Sequence, residues 1–489
     1  MQPTRRDILR YSAAALVAAR VGTAAEEGAE VNDVHSQLNS TRVAKIVRPR
    51  SVEELRATIL RAREDGLLVS VSGSRHSMGG QQFGSGMLLL DMRGLNRVMA
   101  LDSQSQVIEA EAGIEWPELL SGLEQLQTGR PEQLGIFQKQ TGADRLSLGG
   151  ALASNVHGRG LTLKPIISNV ESFELMNAAG DLIPCSRTQN PELFRLAIGG
   201  YGLFGVVTSV RLRLRPRVKV RRVVKLADLN DIPNAFSERI RDGYLYGDYQ
   251  FATDSSRDSF LRRGVFSCYQ LVDASTPLTA NPTRFHPEDW ARLTRYSHTN
   301  KRLAFDVYSK RYVATSGQVY YHDWQLSAAY QPGYHADLDR VMKAKLRASE
   351  MITEIYVPRS ALVSFMERAR VVLRHHKVNL IYGTVRLIEQ DDESFLRWAR
   401  ESWACVIFNL HVTHDPAGKD AAALAFRALI DLAIEHSGSY YLTYHRWATK
   451  RQVEACYPQF REFLALKREY DPREVFQSDW YVHHRELLS

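Results

Sequence analysis

Four cysteines in 489 residues, with no C-x-x-C pair, are too few and too scattered for a disulfide framework or a cysteine-rich metal centre. Cys185, Cys268, Cys405 and Cys456 read as isolated buried thiols, and two long-range disulfides are the pairing the sequence leaves open. Nor is there an apolar run of the ~18 residues needed to cross a bilayer, so no transmembrane segment is expected in the mature protein. Charge of one sign is not concentrated either. The net charge of +8 is spread along the chain, with one cluster at Arg211–Arg222 that alternates with Leu and Val, as a strand with a solvated face followed by a linker would. With no recognition module beside that charge, nucleic acid is not an expected partner. No histidine pair has chelating spacing. His411 and His414 are three apart on an expected strand and face opposite ways, His375-His376 ends a helix, and His483-His484 lies near the C-terminus. No metal site is expected. Internal repeats and low-complexity tracts are also missing.

What the chain does have is three stretches rich in glycine and small residues. The first, Val69–Gln82, begins as a strand in which Val69 and Val71 alternate with Ser70 and Ser72. It breaks into Gly73-Ser74-Arg75-His76-Ser77-Met78-Gly79-Gly80. Glycines there let the backbone approach a ligand, and successive amides can hold an anion such as a pyrophosphate. The loop matches neither G-x-G-x-x-G nor G-K-[ST]. The second stretch, Thr141–Gly160, carries Thr141, Gly142, Leu148, Gly149, Gly150, Ala153 and Ser154, then His157-Gly158. Its small side chains leave a trough beside the backbone. The third, Gly199–Val207, runs through Gly205, Val206 and Val207 into an alternating strand at Thr208–Leu214.

In this order and spacing, the three stretches resemble the FAD-binding (PCMH-type) domain of the vanillyl-alcohol-oxidase family of flavoproteins. S-G-S-R-H-S and G-G-A-x-A-x-x-x-H-G are most similar to its aldonolactone and alditol oxidase branch. The resemblance implies an α+β fold: a two-part FAD-binding domain and an α+β substrate cap. It implies FAD as cofactor, held by the residues named above. His76 stands where flavinylated members bond covalently to the flavin 8α-methyl.

Two strands of the expected cap have one apolar and one polar face. In Leu380–Ile388, Tyr382, Thr384 and Arg386 point one way, and Ile381, Val385 and Leu387 the other. In Ala404–Thr413, Ile407, Asn409, His411 and Thr413 share a side. A covered polar face suits a polyhydroxylated substrate; a solvated sheet edge is the alternative. The resemblance aligns Arg386 with the arginine of an E-x-R strand that lies by the flavin, but Thr384 stands where the family has Glu. Asn409 and His411 fall at a comparable polar pair. The family's H-W-x-K matches Tyr444–Lys450 loosely, with His445 or Lys450 as the counterpart. The expected activity is oxidation of a CH–OH group of a sugar, polyol or lactone-like small molecule by hydride transfer to flavin N5, with oxygen or another acceptor taking the electrons. Arg386 is expected to stabilise negative charge, His411 or His445 to act as base, and Tyr382, Thr384, Asn409 and Lys450 to meet substrate. Flavin or carbohydrate binding without turnover, or dehydrogenation of a non-sugar substrate, is the alternative.

The N-terminus, Thr4-Arg5-Arg6-Asp7-Ile8-Leu9-Arg10 followed by an alanine-rich stretch, reads as a twin-arginine signal peptide over 1–25, with the protein periplasmic or secreted. The expected domains are 26–218 for FAD, 219–439 for the cap, and 440–489 returning to the FAD domain. Helices are expected at Ser51–Gly66, Trp116–Leu126, Ala336–Ser349, Arg359–His376, Lys419–His436 and Gln452–Arg468. Residues from Pro216 to about 335 read as aromatic and irregular.

Overall fold

The computed structural model describes residues 26–326 and 333–489. The signal peptide expected at 1–25 lies outside the described residues.

Strand Val69–Ser72 pairs in parallel with Leu88–Asp91, which pairs in parallel with Lys45–Val47 on its other edge; Glu26–Glu27 closes this four-stranded sheet. The helix Val52–Glu64 crosses between Lys45–Val47 and Val69–Ser72. Ser51 caps it by accepting from the Glu54 amide, and Leu55, Ile59 and Ala62 form its buried stripe. A second, five-stranded antiparallel sheet follows, built from Val98–Asp102, Val107–Glu111, Val170–Met176, Leu182–Ser186 and Val206–Arg213. The short helix Leu148–Ser154 packs on Val206–Arg213, with Leu148, Ala151 and Leu152 in the core.

From Lys219 onward the chain builds one eight-stranded antiparallel sheet. Its order is Val319–Tyr321, Lys219–Asp228, Arg263–Val272, Tyr244–Phe251, Leu380–Ile388, Trp403–Thr413, Ala348–Pro358 and Ser439–Tyr440. The expectation of irregular chain before residue 335 is corrected here. Lys219–Asp228 and Arg263–Val272 pair over their full lengths, with Val220, Val224 and Ala227 buried and Arg221, Lys225 and Asp228 exposed. Helices Ile232–Arg241, Leu362–His375 and Pro416–Glu435 cover one face of this sheet. On the other face lie Pro287–Thr299, Lys301–Val313 and Tyr334–Met342. Two further boundaries differ from expectation. The helix expected at Ala336–Ser349 stops at Met342, and strand Ala348–Pro358 takes over. The last long helix divides into Lys450–Cys456 and Phe460–Tyr470 around Pro458, whose missing N–H and ring do not fit a helix interior.

After the last of these helices the chain returns to the first sheet. Val69 donates to the Val475 carbonyl and accepts from the Gln477 amide, a parallel bridge between Val69 and Phe476. Asp471 holds the bend before it: its carboxylate accepts from the Phe476 amide at 2.9 Å and pairs with buried Lys467 at 2.6 Å. All four cysteines are buried and free.

Candidate active site

A cavity of about 880 Å³ runs between the glycine loops and the polar face of the eight-stranded sheet. Of the residues expected to hold cofactor, Gly73, Ser74, Arg75, His76, Ser77, Met78, Thr141, Gly142, Gly149, Gly150, Ala153, Ser154, His157, Gly205, Val206 and Val207 line it. Three do not. The Gly79 amide is used on the Thr443 carbonyl at 3.0 Å, Leu148 belongs to the core, and Gly158 is pressed against the Lys139 carbonyl.

The loops are shaped by close contacts as much as by turns. A Cβ on Gly73 would sit 1.8 Å from Ser147 Oγ, the hydroxyl that caps helix Leu148–Ser154 by accepting from the Gly150 amide. The Gly149 amide donates to Ala112 O at 2.6 Å, so the helix presses its glycine side onto the sheet. Its 3.6-residue period then puts Gly149, Gly150, Ala153 and Ser154 on the cavity wall. The His76 ring meets His35 edge-on at 5.1 Å, and burial lowers its pKa to about 4. It is therefore neutral at physiological pH, the form in which an imidazole nitrogen is nucleophilic.

Buried polar atoms along this wall lack hydrogen-bond partners among the described residues: both side-chain amide atoms of Gln140, Thr141 Oγ1, Gln81 Oε1 and Gln82 Oε1. Buried polar groups are rarely left unpaired, so this concentration indicates a ligand with many polar atoms. Together with the glycine-lined wall, these groups fit FAD.

On the cap side, Arg386 and Tyr382 reach the cavity from Leu380–Ile388, and Ile407 and Asn409 from Trp403–Thr413, as their alternation implies. Ile381 and Gly383 line it too, because the pairing register slips between Leu380 and Tyr382. Arg386 is 7% exposed as a residue, and among the described residues its Nε has no hydrogen-bond partner and it forms no ion pair. Asn409 Oδ1 is likewise buried without a partner.

Four expected site residues lie elsewhere. Thr384 is buried and donates its hydroxyl to the Tyr249 carbonyl at 3.2 Å, outside the cavity lining. The His445 ring stacks against Phe426, at 4.5 Å, and packs beside Trp447, at 5.7 Å; burial drops its pKa to about 3, and it does not line the cavity. Lys450 is exposed, with Nζ bonded to the Ser489 carbonyl at 2.9 Å. His411 faces Glu350 beyond the cavity wall.

The carboxylate missing at position 384 is found on a different strand. Glu350, Ile352 and Glu354 share the inner face of Ala348–Pro358 and all line the cavity. Glu354 Oε1 accepts from the Tyr444 hydroxyl at 2.8 Å; Oε2 accepts from Tyr356 at 2.9 Å and meets His157 Nε2 at 2.8 Å. Burial alone would raise the Glu354 carboxyl, but His157, the Tyr444 hydroxyl and Arg386 outweigh it and hold it at about 2. His157 Nδ1 faces the Gly158 carbonyl at 3.0 Å, so this histidine ties the second glycine stretch to the cap. Asp248, Tyr444, Lys301 and Tyr308 also line the cavity. The sequence signal for the carboxylates was the spacing Glu350-x-x-x-Glu354, which shares a face on a strand as well as on a helix.

The family model described as FAD binding domain matches residues 43–186. L-gulono-1,4-lactone dehydrogenase of Mycobacterium tuberculosis is 23% identical over 439 residues, covering 89% of this chain and 94% of that protein. L-gulonolactone oxidase of Scyliorhinus torazame is 24% identical over 456 residues, covering 88% of this chain and 93% of that one. Cytokinin dehydrogenase 9 of Oryza sativa subsp. japonica is 26% identical over 358 residues, covering 67% of this chain and 64% of its own length.

Proposed function

We propose that this chain, a FAD-dependent oxidoreductase with a PCMH-type FAD-binding domain, oxidises a CH–OH group of a sugar, polyol or aldonolactone. The observation that carries the reading is buried Arg386, its Nε without a hydrogen-bond partner among the described residues, lining the same cavity as Asn409, Glu354 and Tyr444. Bound FAD supplies the two-electron acceptor for the hydride of the substrate carbon. Arg386 holds the substrate oxygen and balances negative charge developing there. The hydroxyl proton passes to the Glu354–Tyr444 pair. Glu354 stays ionised throughout the neutral range and so keeps the Tyr444 hydroxyl oriented at the cavity wall. Asn409 and Tyr382 bind the remaining hydroxyls. His76, kept neutral by burial in the first glycine loop, would be the residue to hold the flavin ring there.

The residue pattern at 1–25 supports export by the twin-arginine route. Replacing Arg5 and Arg6 together by Lys should leave flavin-loaded precursor in the cytoplasm; unchanged fractionation would remove the export reading. The substrate reading is tested by anaerobic mixing of the holoprotein with polyols, aldoses, aldonolactones and, because Trp290, Phe305 and Tyr308 give the cavity an aromatic wall, flat heteroaromatic amines. Bleaching of the flavin by a member of the first three classes is expected. Bleaching by the amines alone would refute CH–OH oxidation.

A further inference from the structure

Away from Arg386 and Glu354, three elements bring imidazole and carboxylate groups to one point. His298 comes from the last turn of helix Pro287–Thr299, Glu350 from strand Ala348–Pro358, and His411 from strand Trp403–Thr413, where it pairs directly with Glu350. His298 Nε2 is 2.9 Å and His411 Nδ1 3.7 Å from the same oxygen, Glu350 Oε1. The three ligand atoms lie within 4.8 Å of one another. Despite this closeness, none of the three has a hydrogen bond of acceptable geometry among the described residues. They converge on a shared point instead of pairing off. The other carboxylate oxygen, Oε2, accepts from the Tyr334 hydroxyl and lies 2.9 Å from His335 Nδ1.

We propose that His298, Glu350 and His411 form a binding site for a divalent transition-metal ion of the zinc class. Two imidazoles and one carboxylate are a donor set for such ions, commonly with further positions left for water or substrate. Ligand atoms about 2.1 Å from a tetrahedral ion stand about 3.4 Å apart, a spacing that the two measured distances to Glu350 bracket. Both ligand chemistries are in the required form. Burial lowers the His298 pKa, leaving a neutral ring with a lone pair. Glu350 is ionised: burial would raise it, but the surrounding imidazoles hold it well below the carboxylate range. Tyr334 and His335 fix the free carboxylate oxygen, as outer groups fix a ligating carboxylate in metal sites. Since Glu350 lines the cavity, the open positions of the ion face oxygen ligands entering it.

The test uses holoprotein stripped with a chelator and titrated with Co(II), then Zn(II). Bound metal is measured by elemental analysis and by Co(II) d–d bands at wavelengths beyond the flavin. One Co(II) per chain, displaced by Zn(II), is expected. His298→Ala and Glu350→Gln should lose stoichiometric binding, and Tyr334→Phe should weaken it by about 10- to 100-fold. His414→Ala, whose ring bonds to Ser349 and not to Glu350, should keep it. Flavin content reports folding of each variant. Wild-type protein that takes up no Co(II) would overturn the proposal without recourse to any variant. So would His298→Ala and Glu350→Gln variants with normal flavin and wild-type stoichiometry. The readout needs no turnover, so either result leaves the substrate reading untouched.

Discussion

Replacing Arg386 by Ala separates a cap that takes part in chemistry from one that only covers the flavin. The side chain is 93% removed from solvent, taking its 7% exposure, and it has no ion-pair partner among the described residues. Among the described residues its Nε is therefore free for an incoming oxygen. Removing one preorganised donor of this kind costs about 100- to 1000-fold in turnover, or about 2.7–4 kcal/mol of transition-state stabilisation. Glu354 also loses a neighbouring cation. His157 and the Tyr444 hydroxyl remain beside it, so the carboxylate stays ionised at neutral pH and the loss reports mainly on the guanidinium. Arg386→Lys should recover only part of the rate, because an ammonium does not reproduce the planar fork. Anaerobic stopped-flow reduction of the flavin, with any substrate that bleaches it, reads the effect. Flavin content should not change, since the glycine loops lie across the cavity. A wild-type reduction rate in Arg386→Ala would refute the argument and make Arg386 part of the lid.

Three other perturbations have defined outcomes. Asp471→Ala leaves Lys467 charged and unpaired in the interior and should cost about 3–5 kcal/mol, read as a lowered denaturant midpoint; an unchanged midpoint would contradict the pairing. His76→Ala should still bind FAD but release all of it on acid precipitation, while wild-type precipitate stays yellow; free flavin from the wild type would count against the covalent link. Stability should fall as pH drops below about 6.5. His445 and His484, lowered by burial to about 3, take up protons in the unfolded chain first. Each contributes up to about 1.4 kcal/mol per pH unit between 6.5 and 3. Equal urea midpoints at pH 7 and pH 5 would contradict this, and His445→Phe should flatten the dependence.

The cofactor side was legible because its requirements are local. Gly73 must be small to clear Ser147, and Gly149 to reach Ala112, so the sequence records the contact at the residue that makes it. Tyr382 and Arg386 on Leu380–Ile388, and Ile407 and Asn409 on Trp403–Thr413, were legible from alternation, whereas the register slip after Leu380, which brings Ile381 and Gly383 to the cavity as well, was not. Glu350 and Glu354 were not. Ala348, Glu350 and Met351 favour helix, and only pairing with Trp403–Thr413 makes them strand. The carboxylate sought at position 384 is supplied two strands away, a substitution visible only once the register is known. His445 shows the converse error. A histidine near an expected motif carried the right chemistry, but its surroundings, Phe426 and Trp447, come from folding and not from spacing.

The bridge between Val69 and Phe476 sets an order of events in biosynthesis. The strand that launches the flavin loop is completed by residues almost at the end of the chain. A ribosome must therefore have passed the whole cap and residues 475–477 before the cofactor loop has its second edge, and firm flavin capture is expected only after that point. Without residues 475–477 the strand that leads into the cofactor loop would keep Leu88–Asp91 as its neighbour but lose the bridge on its other edge, so weaker flavin retention is expected.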